Sequence, residues 1–249
     1  MYSNTSPIDS TTWQWGLYTG LDTIRGILSM IRVTSVNTGT AEAITVAGRS
    51  FETGINKKPL AGSIRVGRLG LEKDVVCDNR FHGGPDQAVY LYRQEDYDWW
   101  SGELGRDIGA GKFGENLTVE GLQEPGLMVG DVLRFPNLEL QVTAPRIPCS
   151  TFATIMGDNK FAKAFMKAGR PGIYFRVLKT GTVAVNDEIE LVPFRAQSIS
   201  TVEFFHEYHS KLSSVRIQQY LDLPIDIRSR TDLEERLVKG RVSHRHDYS

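Results

Sequence analysis

Cys149 is the side chain best placed for nucleophilic or metal-binding chemistry. It stands in the run Ala144-Pro145-Arg146-Ile147-Pro148-Cys149-Ser150-Thr151. The stretch before it, residues 138–143, alternates like a strand, and two prolines and an arginine hold the cysteine at the mouth of a loop. A thiol near a fixed cation can be kept as thiolate, the form that attacks carbon and binds soft metals. The bland alternative is a small buried hydrophobe, the commoner use of a lone cysteine.

Further polar groups sit in glycine-punctuated turns. Thr53-Gly54-Ile55-Asn56-Lys57-Lys58-Pro59 places two lysines beside a glycine. Such a turn can offer backbone N–H groups and ammonium charge to a phosphate; it can equally be a solvated basic turn. In His82-Gly83-Gly84-Pro85-Asp86 the paired glycines let backbone approach a ligand closely. His82 is there a donor or proton carrier, with Asp86 as its candidate partner, or else the incidental imidazole of a tight turn. Gly111-Lys112-Phe113-Gly114-Glu115-Asn116 is a second approach loop, in which Asn116 can both donate and accept. Gly126 to Asp131 reads as a structural turn. Arg170, before Pro171-Gly172, is a candidate phosphate fork.

The bulk numbers limit what these groups can serve. A chain of 249 residues holds one large domain, or a medium one with an appendage, and buries a sizeable core unaided. Net charge is -1, from 29 basic and 30 acidic side chains. That excludes a general attraction to nucleic acid or anionic membranes, so any anion site is local. The two cysteines, Cys77 and Cys149, make no disulfide framework and fit a reducing, cytoplasmic setting; Cys77 is expected to be structural and dispensable. No CxxC pair suggests structural zinc or an iron–sulfur cluster, and no apolar run is long enough to span a bilayer.

The elements that must position the chemistry are mostly strands. Alternation or short apolar runs mark residues 31–36, 44–46, 48–51, 64–69, 88–92, 116–119, 132–135, 138–142, 173–178 and 183–185, the last taken as the final strand. Many short strands with turn residues between them suggest a β-barrel. Helices are expected at 95–104, with Trp99 and Trp100 as core anchors, and at 160–168, with Gly169 as C-cap. After Pro193 the pattern turns helical. Ser200-Thr201-Val202-Glu203 is a capping box. A second helix capped by Ser213 or Ser214 and a third over 229–239, closed by Gly240, complete a three-helix unit over 200–240. It is too small to stand alone and is expected to dock on the barrel. His244 and His246 lie in a polar tail, read as frayed ahead of a metal site.

Residues 1–29 are polar and rich in Ser and Thr, with Trp13, Trp15 and Tyr18 isolated among them. They are expected to be an upstream extension, a tag or an overextended start, dispensable for fold and activity. The alternative is a short ordered arm packed through its tryptophans.

Taken together, Lys57-Lys58-Pro59, His82-Gly83-Gly84-Pro85-Asp86 with Ala88-Val89, Gly114-Glu115-Asn116-Leu117-Thr118, Gly126 with Gly130-Asp131, Pro145-Arg146 with Pro148-Cys149, and Gly169-Arg170 with Gly172, Tyr174 and Arg176-Val177-Leu178 resemble the MOSC family in order and spacing. Within it they resemble the YiiM-like proteins. The likeness covers about residues 30–193, and the helical unit is similar to the three-helix domain that follows MOSC in that subgroup. Family chains tend to begin at the strand that Met30 opens.

The resemblance implies a mainly-β MOSC barrel with interspersed helices and a C-terminal three-helix unit. It implies a molybdenum cofactor whose metal is completed by the Cys149 thiolate. Lys57, Lys58, Arg146 and Arg170 would then meet the cofactor's phosphate and pterin, and His82 and Asn116 would line the pocket. The implied activity is two-electron reduction of small N-hydroxylated compounds, including hydroxylaminopurine-type bases and hydroxylamines, with His82 as proton shuttle. The chain has no ferredoxin-type cysteine cluster and is read as lacking a flavin or NAD fingerprint, so electrons must come from a separate flavoprotein-type reductase. Docking of that reductase, plain packing and a homodimer contact are three readings of the helical unit. A non-catalytic cofactor carrier or store, a cysteine hydrolase or transferase built on Cys149 and His82, and a cofactor-free interaction module are the alternative functions.

Overall fold

In a computed structural model the described residues are 30–46, 48–122 and 126–246, with backbone alone for 240–246. The expectations for residues 1–29, and for the side chains of His244 and His246, fall outside them. None of the described helices is long and apolar enough to cross a membrane.

Seven strands close a barrel. In chain order they are β1 (Ile31–Thr38), β7 (Val89–Arg93), β8 (Leu117–Glu120), β9 (Val132–Arg134), β10 (Glu139–Pro145), β11 (Ile173–Lys179) and β13 (Glu188–Val192). Around the barrel the order is β13-β9-β10-β11-β7-β8-β1, and β1 returns to β13 through Ile31 opposite Ile189 and Arg32 opposite Glu188. Closure leaves no free edge among these seven. Neighbours are antiparallel except β7 and β8. A parallel pair needs a crossover, supplied by α1 (Gln94–Leu104) and the turns after it. Short accessory strands lie outside the barrel: the hairpin β2 (Glu42–Val46) and β3 (Arg49–Thr53), β4 (Lys58–Pro59), β5 (Ile64–Gly67), β6 (Gly70–Leu71) and β12 (Gly181–Val183).

The two faces of the wall carry different cores. Side chains alternate across a strand. Val89 and Leu91 of β7, with Ile173, Phe175 and Val177 of β11, join the aliphatic core with Val33, Leu117, Leu133 and Leu140. Tyr90, Tyr92 and Tyr174, one residue out of phase, join an aromatic core with Trp100, Phe113, Phe152, Phe161 and Phe165. Burial on both faces is why residues 88–92 read as a continuous apolar run. The aromatic core fills the space between the wall and α1, α2 (Ser150–Met156) and α3 (Phe161–Ala168). Phe113 has no exposure, and its ring lies 4.8–6.2 Å from those of Tyr92, Tyr97, Trp100, Phe152, Phe161 and Phe165. Trp100 is buried in this core, and Trp99 is partly buried against it. Gly169 ends α3 in the left-handed conformation at φ 64°.

Besides the two-residue strands β4 and β6, the sequence reading missed β13 and α2. β13, which closes the barrel, carries the alternation Glu188-Ile189-Glu190-Leu191 beyond residue 185, taken as the last strand. α2 begins at Ser150, so Cys149 is the N-cap residue of a helix as well as the end of a loop.

The three C-terminal helices are α4 (Thr201–Glu207), α5 (Ser214–Leu221) and α6 (Ile227–His246). The Ser200 hydroxyl accepts from Glu203 N at 3.1 Å and the Ser213 hydroxyl from Arg216 N at 3.1 Å, as the capping signals require. α6 starts earlier than the reading from Ser229, because Asp226 is its cap: one carboxylate oxygen accepts from Arg228 N and Ser229 N. It also runs through Gly240, since a glycine costs a helix interior only about 1 kcal/mol. Phe204, Ile217, Tyr220, Leu223, Ile225 and Leu233 of this unit pack with Val129 and Ala144 of the barrel region. The unit is therefore docked through a shared apolar core.

Candidate functional site

The ends of β10 and β7, the turns at 53–57 and 74–83, and the α4–α5 connection surround a cavity of about 1220 Å³. Cys149 lines it. The strand pairing aims the segment that carries this thiol: Arg146 N donates to Gly172 O at 2.8 Å, the last rung between the chains leading out of β10 and into β11. Pro148 and the extended backbone of Cys149 (φ −116°, ψ 172°) then turn the chain into α2.

Burial pushes the Cys149 thiol up. A hydrogen bond from His82, the charge of Arg146 and the backbone N–H of Phe152 together outweigh it and bring the pKa down to about 6. At neutral pH the group is mostly thiolate. Arg146 is itself buried. Its Nη2 lies 3.9 Å from Cys149 Sγ, its Nη1 donates to Ile147 O at 3.0 Å, and its guanidinium sits over the rings of Phe152 at 4.7 Å and Tyr90 at 5.7 Å. Among the described residues no carboxylate pairs with Arg146, so the thiolate is its anionic neighbour. Tyr90 and Tyr174, both on the cavity wall, are held well protonated by burial.

His82 stands on a turn that needs its glycines. Gly83 and Gly84 have φ of 69° and 84°, and a Cβ on Gly83 would lie 3.1 Å from the Val76 side chain. Asp86 is not the partner of His82. It pairs with Arg176 at 3.1 Å and accepts from Ile227 N, because the 3-10 turn Pro85–Gln87 carries it toward β11 and α6.

Lys57, His82, Asn116, Arg146 and Cys149 all line the cavity; Lys58 and Arg170 do not. Lys58 stands on β4 and is exposed, 3.9 Å from Glu42. Successive side chains of an extended segment point opposite ways, so Lys57 turns in where Lys58 turns out. The Lys57 ammonium is buried in an ion pair with Asp74. Asp74 also accepts from Gly39 N at 2.8 Å and Asn116 Nδ2 at 2.9 Å. Arg170 leaves the Gly169 cap on the helical side. It donates to Asp96 Oδ1 at 2.7 Å and stacks over Trp99 at 4.7 Å. The four cations therefore do not converge: Arg146 faces the thiol, Lys57 is neutralised, and the other two belong to other surfaces. Asn116 lines the cavity but is spent on the fold, since its Oδ1 accepts from Tyr90 N at 3.1 Å.

Cys77 lines the same cavity as Cys149 and is half-buried, with its thiol pushed up by burial. It is thus at the site rather than in the core. Phe51, Arg80, Phe81, Tyr208 and His209 also border the cavity. Phe51 and Phe81 are exposed, and Arg80 sits over the Phe81 ring at 5.5 Å. Sequence spacing gave no signal for these groups, and Tyr208 and His209 reach the cavity only through the docking of the helical unit.

The run Gly109-Ala110-Gly111-Lys112-Phe113-Gly114 does match the spacing of a dinucleotide fingerprint, contrary to the sequence reading. It lacks the required context, because turns and then strand β8 follow where a helix should begin. These glycines instead wrap a buried carboxylate. Glu115 accepts from Tyr97 Oη at 2.7 Å, Thr118 Oγ1 at 2.8 Å and Gly111 N. Burial holds this carboxyl above the usual range. Glu115→Ala would strand these donors, each at about 1–3 kcal/mol. The expected result is a fall of at least about 5 °C in a thermal melt, with Glu115→Gln milder.

Known proteins supply the context. The MOSC domain model matches residues 78–190. An uncharacterized Bacillus subtilis protein, YflK, is 36% identical over 191 residues, covering 76% of this chain and 86% of its own. Protein YiiM of Escherichia coli is 33% identical over 141 residues, 55% of this chain and 63% of YiiM. The crystal structure of YiiM from Geobacillus stearothermophilus superposes with a TM-score of 0.69 at 29% identity, over 83% of this chain and 99% of that one.

Proposed function

Since the chain belongs to the MOSC domain family, in its YiiM-like branch, a family tied to the molybdenum cofactor, we propose that it is a reductase of N-hydroxylated compounds that works with this cofactor. Hydroxylaminopurine-type bases and hydroxylamines are the substrate class, and a separate flavoprotein-type reductase is the electron source. The observation that carries the reading is a single thiolate, Cys149, facing a large cavity between a buried arginine and a histidine.

The residues fit the group. No cluster of three His, Cys, Asp or Glu side chains able to hold a metal occurs among the described residues. A metal at Cys149 must therefore bring its other ligands, as one held by a pterin dithiolene does, and a thiolate is a suitable soft ligand for it. The cavity of about 1220 Å³ exceeds the roughly 300–1,000 Å³ of a usual ligand pocket. That leaves space for a substrate beside a cofactor and favours an enzyme over a carrier or store. Cys149 would hold the metal, with Arg146 inside the cavity supplying positive charge; Arg80, also on the cavity lining, is paired with Asp78.

When bound, the cofactor supplies the two electrons that cleave the N–O bond. Two protons are also consumed, giving amine and water. His82, on the cavity lining, would deliver a proton at the departing oxygen. Phe51, Phe81 and Tyr208 border the cavity and are aromatic side chains that a planar base would meet. His82 and then Arg146 favour the thiol's ligating form. The C-terminal unit walls the cavity through Tyr208 and His209.

A cysteine hydrolase or transferase is the second reading, because His82 lines the cavity with Cys149 and lowers its pKa. It needs a third group to orient the imidazole, and Asp86 is engaged with Arg176 instead. Elemental analysis of protein from a cofactor-competent host tests the proposal. Roughly one molybdenum per chain, with turnover of hydroxylaminopurine on an artificial electron donor, is expected. Thiol-dependent hydrolysis without molybdenum would overturn it in favour of the second reading.

A further inference from the structure

We propose that Arg228, in the first turn of α6, is a positioning residue that clamps the His82 turn over the cavity. Its guanidinium donates to four main-chain carbonyls in one short segment. Nε reaches Arg80 O at 3.0 Å, Nη1 reaches Gly83 O at 2.8 Å, and Nη2 reaches Asn79 O at 2.8 Å and His82 O at 3.1 Å. The flanking residues act on the same stretch: Ile227 N donates to Asp86 Oδ2 at 3.0 Å, and Asp226 Oδ1 accepts from Gln87 Nε2 at 3.1 Å.

The turn needs such a hold. It belongs to no strand ladder, and its own bonds converge on Asp78: Phe81 N and His82 N to Asp78 O at 3.4 and 3.1 Å, and Arg80 N to the Asp78 carboxylate at 3.2 Å. Two consecutive left-handed glycines end it, and Phe81 at its tip is exposed. Arginine is the one side chain with donors enough for this pattern; a lysine ammonium cannot span it. The clamp is rigid at its base, because Asp226 caps the helix there. His82 thus meets Cys149 from a turn held through its own carbonyl. The helical unit thereby acts on the thiol site through Arg228 as well as through the wall residues Tyr208 and His209.

The kinetic half of this inference rests on the proposed reductase activity; the structural half does not. The test uses the full chain with Arg228→Ala, Arg228→Lys and, as control, Arg230→Ala. Arg230 donates to Leu221 O and Leu223 O within the helical unit and leaves the turn alone. In both Arg228 variants, amide exchange over residues 79–84 and tryptic cleavage after Arg80 should quicken at least about tenfold, the equivalent of one lost charge-assisted bond. Turnover per bound molybdenum should fall at least about tenfold with KM nearly unchanged. In Arg230→Ala the turn and the turnover should stay within about twofold of the parent. Should Arg228→Ala fail to fold, Arg228→Lys carries the test. A turn no freer in the Arg228 variants than in the control overturns the proposal, as does a freed turn with unchanged turnover. A parent protein without reductase activity refutes the function while leaving the exchange and cleavage results to decide the clamp.

Discussion

Cys149→Ser is expected to abolish reduction of hydroxylaminopurine while leaving the fold intact. The hydroxyl of serine stays protonated at neutral pH and is a harder ligand than thiolate, so the metal loses the soft donor at the entry to α2. Stability should not suffer. Cys149 is the N-cap of α2, and its thiol faces the Phe152 N–H without closing a full cap hydrogen bond. Serine is a favoured N-cap, worth about 0.5–2 kcal/mol over a residue that does not cap. The melting temperature should therefore hold or rise slightly. Cys77→Ser is the matched control: its thiol also borders the cavity, but burial pushes it up, away from the ligating form. Molybdenum content, turnover and a thermal melt of both variants check this. Full activity in Cys149→Ser would sink the ligand assignment.

How much of this was legible in the chain depends on the range of the interaction. Local patterns gave the barrel strands other than β13, the caps at Ser200 and Ser213 and the Gly169 stop, because each is decided within one turn or one pleat. Cys149 and Arg146 were legible for the same reason, since three residues of loop fix their separation. Lys57 and Lys58 show the limit. Their chemistry is identical and their positions adjacent, and only the direction of the segment sends one to Asp74 and the other to solvent. Arg170 was read as an anion fork, yet its partner Asp96 lies on α1, far away in the chain. Tyr208, His209 and Arg228 join the site through the docking of helices distant in sequence, which no spacing rule encodes. β13 is the opposite case. Its alternation is present in Glu188-Ile189-Glu190-Leu191, beyond residue 185, where the sequence reading placed its last strand.

Arg146 is the second position where a single change should have a large effect, and its consequence separates charge from shape. The guanidinium is buried between the rings of Phe152 and Tyr90 and, among the described residues, has no carboxylate partner. Burying an unpaired cation is costly, so the fold keeps this one for the anion it faces. The Cys149 pKa of about 6 reflects burial opposed chiefly by the His82 hydrogen bond and then by this charge. Arg146→Met fills the space and keeps the aromatic contacts but removes the charge. Burial then counts for more, and the thiol pKa should move up from about 6. The sign follows directly: at a pH just above the parent midpoint the parent thiol is mostly ionised and the variant thiol is not. Alkylation of the cofactor-free protein by iodoacetamide should therefore need a higher pH to reach its plateau. Molybdenum retention should fall about tenfold to a hundredfold, the equivalent of one charge-assisted hydrogen bond of roughly 1.5–3 kcal/mol. Stability should hold or improve, because a buried charge gives way to an apolar side chain of similar length. Arg146→Lys keeps the charge without the planar fork and should restore the alkylation profile more fully than it restores retention. An unchanged alkylation midpoint in Arg146→Met would show that His82 and the Phe152 N–H hold the thiolate without Arg146.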